Sequence, residues 1–299
     1  MKYMQKYRQI KDEIGLLASL KILCTSYEEI SVMNMQRIRQ TVLATRTFYI
    51  KLAKVYYHVK NSYKDELAEI MKKKRIKDPS QIGLTQKNGK AVCVFISANA
   101  KLHGVIIDNV FNKFEEYIKT NDTDIIIIGK LGRDLYERLI PTAKKKQYLY
   151  FEIPDMQVAL DDLKTVIYHL IEYEKITVFY GQYNSMLDQA AQIVNITGDA
   201  LVKEAAVTEE NVAFLFEPSL EEVVDYFEKQ IFSALFKQTV HESQLARFAS
   251  RITAMEFALE KIDGKQNYLY NERRRTVRLV ENKIQLERLS GISLWGKTS

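Results

Sequence analysis

Residues 234–262 read ALFKQTVHESQLARFASRITAMEFALEKI, and their apolar side chains recur at alternating intervals of three and four residues. The members of this repeat are Leu245, Phe248, Ile252, Met255, Leu259 and Ile262. Such spacing is typical of a coiled-coil seam, because two interwound helices bring an apolar residue to their interface about every 3.5 residues. The segment contains neither glycine nor proline. It therefore predicts a long C-terminal helix that packs against a second long helix.

The N-terminal segment supplies the expected second helix. Residues 1–78 contain one glycine and no proline, the two residues that most often interrupt helices. Their apolar rows are Ile10, Ile14 and Leu17, then Leu16, Leu20, Leu23, Tyr27 and Ile30, then Val32, Met35, Ile38 and Val42. A helix over residues 3–60 would measure roughly 85 Å, too long to bury its stripe inside a domain of this size. We expect the two chain ends to form an antiparallel coiled coil, with Gly291 ending the C-terminal helix.

The middle of the chain, which holds all four prolines, has a different character. Short β-branched and aromatic runs predict strands at 91–97, 124–129, 147–153, 175–181, 192–197 and 211–217. Helical patterns lie between the first four, at 108–118, 133–140 and 156–173. This alternation indicates a small parallel sheet covered by helices, with an antiparallel hairpin added by 175–183 and 191–197. The predicted class is α/β, with a domain at 79–218 inserted between coiled-coil helices at 1–78 and 219–299.

Composition narrows the class of protein further. The 299 residues are 46% hydrophobic, which suffices for a sizeable core and excludes a disordered or collagen-like chain. The two cysteines, Cys24 and Cys93, cannot form a disulfide framework or fill a structural zinc site. No uncharged apolar run is long enough to span a membrane, and the first residues lack the features of a signal or transit peptide, so we expect a cytosolic compartment. The net charge of +6 tolerates nucleic acid without requiring it.

Signatures of catalysis are few. No GxxxxGK[ST] phosphate loop is present, and we expect no cofactor and no metal. Residues 129–132, Gly-Lys-Leu-Gly, are interpreted as a tight strand-to-helix turn, with ligand binding as the alternative. An α/β enzyme or RNA-binding protein with coiled-coil arms is the alternative function, and its candidate residues are His103, Lys130 and Arg133. An enzyme of this kind needs a pocket at the carboxyl ends of the strands. A third possibility is a self-associating coiled-coil scaffold.

A run of arginines distinguishes the end of the chain. Residues 272–278 read ERRRTVR on the predicted C-terminal helix, where consecutive arginines spread over nearly a full turn. This distribution suits an encircling acidic partner as well as a phosphate backbone. No aromatic residues alternate with these arginines, which disfavours binding of single-stranded nucleic acid.

Residues 234–262 also resemble the gamma subunit of F-type ATP synthases. That family carries a run of the form E-x-x-A-S-E-x-x-A-R-M-x-A-M-x-x-A, and similar positions hold Glu242, Ala246, Ala249, Arg251, Ala254, Met255 and Ala258. The run IIIIGKLGRD is similar to the family's I-G-K-K-G-R-D. Three departures indicate a divergent member or a paralogue in a related rotary ATPase. The family's Gly-Leu-Cys-Gly-Gly becomes residues 101–105, the acid of A-S-E becomes Arg247, and K-I-T-x-A-M becomes residues 22–27.

The resemblance implies a non-catalytic central-stalk rotor subunit: an antiparallel coiled coil with an inserted Rossmann-like α/β domain. Its implied partners are the alpha and beta subunits of the catalytic hexamer, an epsilon-type subunit and the membrane c-ring, with no nucleic acid. It would couple a flow of protons or sodium ions to the hexamer, peripherally on the cytoplasmic side of a bacterial membrane. The implied partner-contact residues are Glu242, Arg251, Ala254, Met255, Arg273, Arg274, Arg275 and Arg278. We expect a rotor to have few exposed large apolar patches.

Overall fold

A computed structural model describes residues 2–62, 88–142, 145–196 and 220–295. The elements in these ranges are α1 (Lys2–Ser62), β1 (Ala91–Ile96), α2 (Ile106–Thr120), β2 (Asp124–Ile128), α3 (Lys130–Leu139), β3 (Tyr148–Phe151), α4 (Leu160–Ile171), β4 (Lys175–Tyr183), β5 (Gln189–Asn195) and α5 (Leu220–Trp295). The chain divides into a smaller unit, residues 1–31 with 252–299, and a larger unit, residues 32–251.

The smaller unit consists of the first part of α1 and the last part of α5. Ion pairs link Lys6 to Glu272 at 2.8 Å, Glu13 to Lys265 at 3.4 Å and Lys21 to Asp263 at 2.5 Å. The residue numbers of the paired side chains increase along α1 while those of their partners decrease along α5, so the two helices are antiparallel. The residues of α5 buried along the seam include Met255, Ile262 and Leu269, which are seven residues apart, as the heptad of a coiled coil requires. The predicted pairing of the chain ends is confirmed.

Two expectations for these helices are wrong. The helix α5 continues through Gly291 to Trp295, because a single glycine costs a helix only about 1 kcal/mol and does not end it without a capping turn. We also expected few large exposed apolar patches, but the α1 row from Leu16 to Ile30 is exposed in this chain. Its members Leu16, Leu20, Leu23, Tyr27 and Ile30 are between 39% and 62% exposed, so the coil carries an apolar face. A pair of helices buries only one narrow stripe of each, and this row lies beside that stripe.

The larger unit is built around a five-stranded sheet in the order β3-β2-β1-β4-β5. The β1–β2, β1–β4 and β2–β3 pairs are parallel, and β4–β5 is antiparallel. The predicted parallel sheet with an added hairpin is therefore confirmed. The strand predicted at 211–217, and the domain boundaries after residues 78 and 218, lie outside the described residues.

Both faces of the sheet are covered, which explains the continuously apolar strands. Cys93, Phe95 and their neighbours on one face pack against α2 and α3, around Phe111, Phe114 and Tyr136. Val92, Val94 and their neighbours on the other face belong to a core that includes side chains of α1, α4 and α5, among them Tyr49, Leu163, Ile231 and Phe236. The side chains of alternate strand residues are thus buried in two separate cores, one on each face of the sheet.

The turn between β2 and α3 brings that helix close to the end of β1. Gly129 has a φ of +98°, which side-chain-bearing residues rarely adopt. A Cβ on Gly132 would lie 2.8 Å from the Cβ of Ser97 and 2.9 Å from Cε1 of Phe95. Ser97 and Phe95 are both buried, so neither can move aside. Close packing therefore requires glycine at position 132.

We expect Gly132→Ala to lower the free energy of unfolding by about 1–3 kcal/mol, because the added methyl group overpacks this contact. Denaturant titration of the purified chain measures the effect. Gly264→Ala is the control, since no atom lies within 4 Å of its added Cβ, and alanine there should stabilise the helix by about 0.5–1 kcal/mol. Equal effects of the two substitutions would contradict the packing role of Gly132.

Candidate functional site

One segment of α5 is buried on nearly every side. Between Thr239 and Arg251, every residue except Glu242 is buried within the larger unit. A helix in this position is usually apolar all round. This one instead buries Thr239, His241, Ser243, Gln244, Arg247, Ser250 and Arg251. Since buried polar groups are costly without hydrogen bonds, their partners identify what the segment is built to hold.

The first of these partners is Asp155, in the segment that follows β3. Nη1 of Arg247 lies 2.9 Å from Oδ1 of Asp155, and the two side chains are only 7% and 15% exposed. Arg247 also donates to the carbonyl oxygen of Ser97, at the end of β1. Burial lowers the pKa of Arg247, and the charge of Asp155 opposes that shift. The guanidinium remains charged, because an arginine pKa is far above neutral pH.

Asp155 gathers a second set of donors. Its Oδ2 accepts the backbone N–H groups of Asn99 at 2.9 Å and Ala100 at 2.8 Å, and its carbonyl oxygen accepts Nε2 of Gln244 at 3.1 Å. The side-chain amide of Asn99 donates through Nδ2 to the carbonyl oxygen of Ile153 at 2.8 Å. The segments that follow β1 and β3 and the buried segment of α5 are thus tied together around one carboxylate.

Arg251 holds the next loop along the chain. Its Nε donates to the carbonyl oxygen of Leu102 at 3.0 Å, and its Nη2 to that of Lys101 at 3.1 Å. Nη2 also lies 3.0 Å from Nε2 of His103. Leu102 has a φ of +70°, a strained conformation that these bonds hold in place. Gly104, also at positive φ, lies so close to Ser250 that its Cβ would be 2.9 Å from the Ser250 carbonyl oxygen.

His103 is a neutral member of this network. Burial lowers its pKa to about 3, and the charges of Arg247 and Arg251 act in the same direction. A neutral imidazole can accept a hydrogen bond from Arg251, which an imidazolium cannot. His103 therefore acts as a hydrogen-bond acceptor for a buried arginine.

Backbone N–H groups of the turn at residues 129–132 donate hydrogen bonds to residues that follow β1. The N–H of Lys130 donates to Oδ1 of Asn99 at 3.0 Å, that of Leu131 to the carbonyl oxygen of Ala98 at 2.8 Å, and that of Gly132 to Oγ of Ser97 at 2.8 Å. A phosphate at a helix N-terminus needs these donors. Their engagement within the chain supports the interpretation as a tight turn.

The three candidate enzyme residues have separate partners. His103 is buried against Arg251, Lys130 forms an ion pair with Glu152 at 3.0 Å, and Arg133 lies over the ring of Tyr150 at 4.8 Å. Within the described residues, no three or more His, Cys, Asp or Glu side chains are placed to hold a metal ion. None of the helices in the described ranges combines the length and apolar character that crossing a membrane requires.

The implied partner-contact residues fall into two groups. Arg251 and Met255 are buried, while Glu242 is partly exposed and accepts a hydrogen bond from Gln238 at 3.0 Å. Ala254 is also partly exposed. The arginines of the smaller unit lie near its surface. Arg273 lies over the ring of Tyr270 at 5.7 Å, Arg274 donates to Asn271 at 3.0 Å, and Arg275 and Arg278 are exposed.

Sequence reasoning missed Asp155 and Gln244. Asp155 was detectable in principle, because it follows a predicted strand and an arginine on an apolar helix needs a buried counter-charge. Gln244 carried no such signal, since its role depends on a carbonyl oxygen that only the folded chain brings near.

A family model described as ATP synthase matches residues 6–277. The chain is 23% identical to the ATP synthase gamma chain of Cytophaga hutchinsonii, over 86% of this chain and 88% of the relative. It is 22% identical to that of Flavobacterium johnsoniae, over 94% and 96%.

Solved structures share the fold. A chain in the central stalk and c-ring structure of the Tetrahymena thermophila mitochondrial ATP synthase superimposes with a TM-score of 0.56 at 15% identity, covering 79% of this chain and 99% of that one. A chain in a Euglena gracilis mitochondrial ATP synthase structure gives 0.54 at 16% identity, covering 89% and 96%.

We expect Arg247→Met to lower the free energy of unfolding by about 3–5 kcal/mol, because it leaves the largely buried carboxylate of Asp155 without its counter-charge. The double variant Arg247→Met with Asp155→Asn should recover part of this loss, since no unpaired charge then remains. Denaturant titration of both variants measures the coupling. Strictly additive losses would show that the pair is not an energetic unit.

The pKa of His103 makes stability depend on pH. Unfolded His103 takes up a proton near pH 6.5, whereas the native residue resists protonation down to about pH 3. The unfolded state therefore binds more protons in this window, and stability should fall with decreasing pH by up to about 1.4 kcal/mol per pH unit. The pKa of buried His241 is also lowered and acts in the same direction.

In the variant His103→Asn, the free energy of unfolding should decrease less steeply between pH 6.5 and 5, a range in which few carboxylates titrate. Denaturant titrations at several pH values within that window provide the measurement. A slope unaffected by removal of His103 would contradict the assignment.

Proposed function

The chain belongs to the ATP synthase family, and from this premise we propose that it is the central-stalk rotor subunit of a rotary ATP synthase. The observation that carries the proposal is the antiparallel pairing of the two chain ends in the smaller unit. Such a pair is a stiff axle, because every backbone amide within a helix is hydrogen-bonded along its axis. Structures with which this chain shares its fold come from ATP synthase stalks, which supports the assignment.

The subunit is a mechanical coupler. It connects ion flow through the membrane ring to conformational change in the catalytic hexamer. Its partners are the alpha and beta subunits of that hexamer, an epsilon-type subunit and the c-ring. Nucleotide chemistry belongs to the hexamer, in keeping with a sequence that has no GxxxxGK[ST] loop.

We propose that the chain works at a membrane as a peripheral component of the complex. Its relatives are ATP synthase gamma chains, which supports a place in a membrane-associated assembly. We further propose the cytoplasmic side of a bacterial membrane, with protons or sodium ions as the coupling ions.

We also propose a division of labour among the implied contact residues. The arginines of the smaller unit face partner subunits, because their guanidinium groups form few hydrogen bonds or ion pairs with the described residues. They are Arg273, Arg274, Arg275 and Arg278. Glu242 and Ala254, which are partly exposed, take part in similar contacts. Buried Arg251 and Met255 act indirectly, by holding the shape of the stalk.

Co-purification tests the proposal directly. The tagged chain, isolated from its own cells, should bring down both kinds of nucleotide-binding subunit in excess over itself. A chain recovered alone would favour the α/β enzyme, and one recovered only as a self-association product would favour the scaffold. Either result would overturn the rotor assignment.

We expect the pair Arg274→Glu and Arg275→Glu to impair coupling while changing the free energy of unfolding by less than about 0.5 kcal/mol, as exposed substitutions usually do. ATP-driven ion pumping by the reconstituted complex, divided by its ATP hydrolysis, is the measurement. Arg138→Glu with Lys175→Glu is the matched control, because it reverses two exposed charges in the larger unit. Unchanged coupling in the first pair would show that these arginines are only solvated surface.

A further inference from the structure

A groove of about 850 Å³ opens in the larger unit where α1, α4 and α5 meet. Its lining residues do not include Arg247, Asp155 or Arg251. Its floor includes Leu163, which is 1% exposed, and Ala234, which is 7% exposed. Ile167 and Ile171 of α4 line it as well. The groove is therefore an apolar surface continuous with the core of this unit.

Two aromatic rings at the groove are exposed. Phe48 of α1 is 55% exposed, and Tyr168 of α4 is 69% exposed. Large apolar side chains grouped beside a groove mark interaction sites more often than scattered surface residues do. Aromatic residues are also enriched among the side chains that anchor protein interfaces.

The positive charge at the groove favours an acidic ligand. Lys164, Lys229 and Lys237 line it, and no acidic side chain does so in the part of the chain that the structure describes. Lys164 forms an exposed ion pair with Asp161 at 2.7 Å, and such a pair is weak enough to be shared with a new carboxylate. The ammonium group of Lys229 is held by the buried carboxylate of Asp225 at 2.7 Å. Lys237 forms no ion pair with any described residue. The occupant should be acidic.

The walls of the groove select a helix. They are the sides of three helices, whose backbone amides and carbonyls already bond within each helix. An extended peptide would find no backbone partners here and would bury unsatisfied polar groups. A helix satisfies its backbone internally and presents apolar side chains at intervals of three and four residues.

We propose that this groove docks an acidic amphipathic helix of a partner protein. Its apolar side chains pack between Phe48 and Tyr168, and its carboxylates face Lys164 and Lys237. The proposal rests on the groove alone, so it stands or falls independently of the rotor function.

Two synthetic peptides of about 18 residues, or five helical turns, provide the probe. Both carry leucine at helical spacing; one has glutamate and the other lysine at the remaining charged positions. Fluorescence anisotropy with the purified full chain should show the acidic peptide binding at least about tenfold more tightly than the basic one. Equal affinities would overturn the proposal.

Matched variants locate the binding site. Phe48→Ala should weaken the acidic peptide by about tenfold, as loss of an aromatic anchor does, whereas Leu43→Ala should not. Leu43 is 57% exposed on the same helix but does not line the groove. Lys237→Glu should likewise weaken binding, while Lys51→Glu, an exposed lysine of α1 outside the groove, should leave it unchanged. Identical effects within either pair would place the peptide elsewhere and refute the proposal.

A photo-crosslinking residue in place of Tyr168 distinguishes the other possible occupants. In the purified chain with acidic peptide, the adduct should contain the peptide. An adduct within the same chain would show that the groove belongs to one of its own segments. An adduct between two copies would show self-association. Either of these adducts, formed in place of the peptide adduct, would overturn the proposal.

Discussion

The buried pair of Arg247 and Asp155 is the interaction on which the larger unit depends. Removing two charges from water costs several kcal/mol each, and their mutual attraction offsets this only when the remaining donors and acceptors are satisfied. Here they are. Arg247 also bonds the carbonyl oxygens of Ser97 and Ser243, and Asp155 accepts two backbone amides. An arrangement that broke these hydrogen bonds would leave a poorly solvated charge without partners, so the pair favours this one.

This constraint has a mechanical meaning for a rotor. The sheet is attached to α5 by hydrogen bonds at Ser97, Asp155, Lys101 and Leu102, in addition to apolar contact. An apolar contact alone has no preferred direction and permits sliding, whereas hydrogen bonds fix both register and rotation. The loops that follow β1 and β3 are therefore fixed in rotation relative to the buried segment of α5.

Much of this fold follows from the sequence because the relevant signals are local and periodic. Alternating intervals of three and four residues predict the coil, and the continuously apolar strands at 91–97 and 124–129 predict a sheet covered on both faces. The arginine network did not follow, since Arg247 and Asp155 are 92 residues apart and neither signals the other. The predicted end of α5 at Gly291 was wrong, because one residue of low helix propensity costs less than the surrounding helix gains.

The exposed apolar surfaces have a common physical cause. A pair of helices can cover one stripe of each helix, and α1 carries more apolar rows than α5 alone can bury. The row from Leu16 to Ile30 is left facing outward in this chain, as is Phe48 of α1 at the groove. A monomer that evolved to act alone would replace such residues with polar ones, because exposed apolar area gives no stability and promotes association. Their presence is expected of a chain whose surface packs against other subunits in an assembled complex.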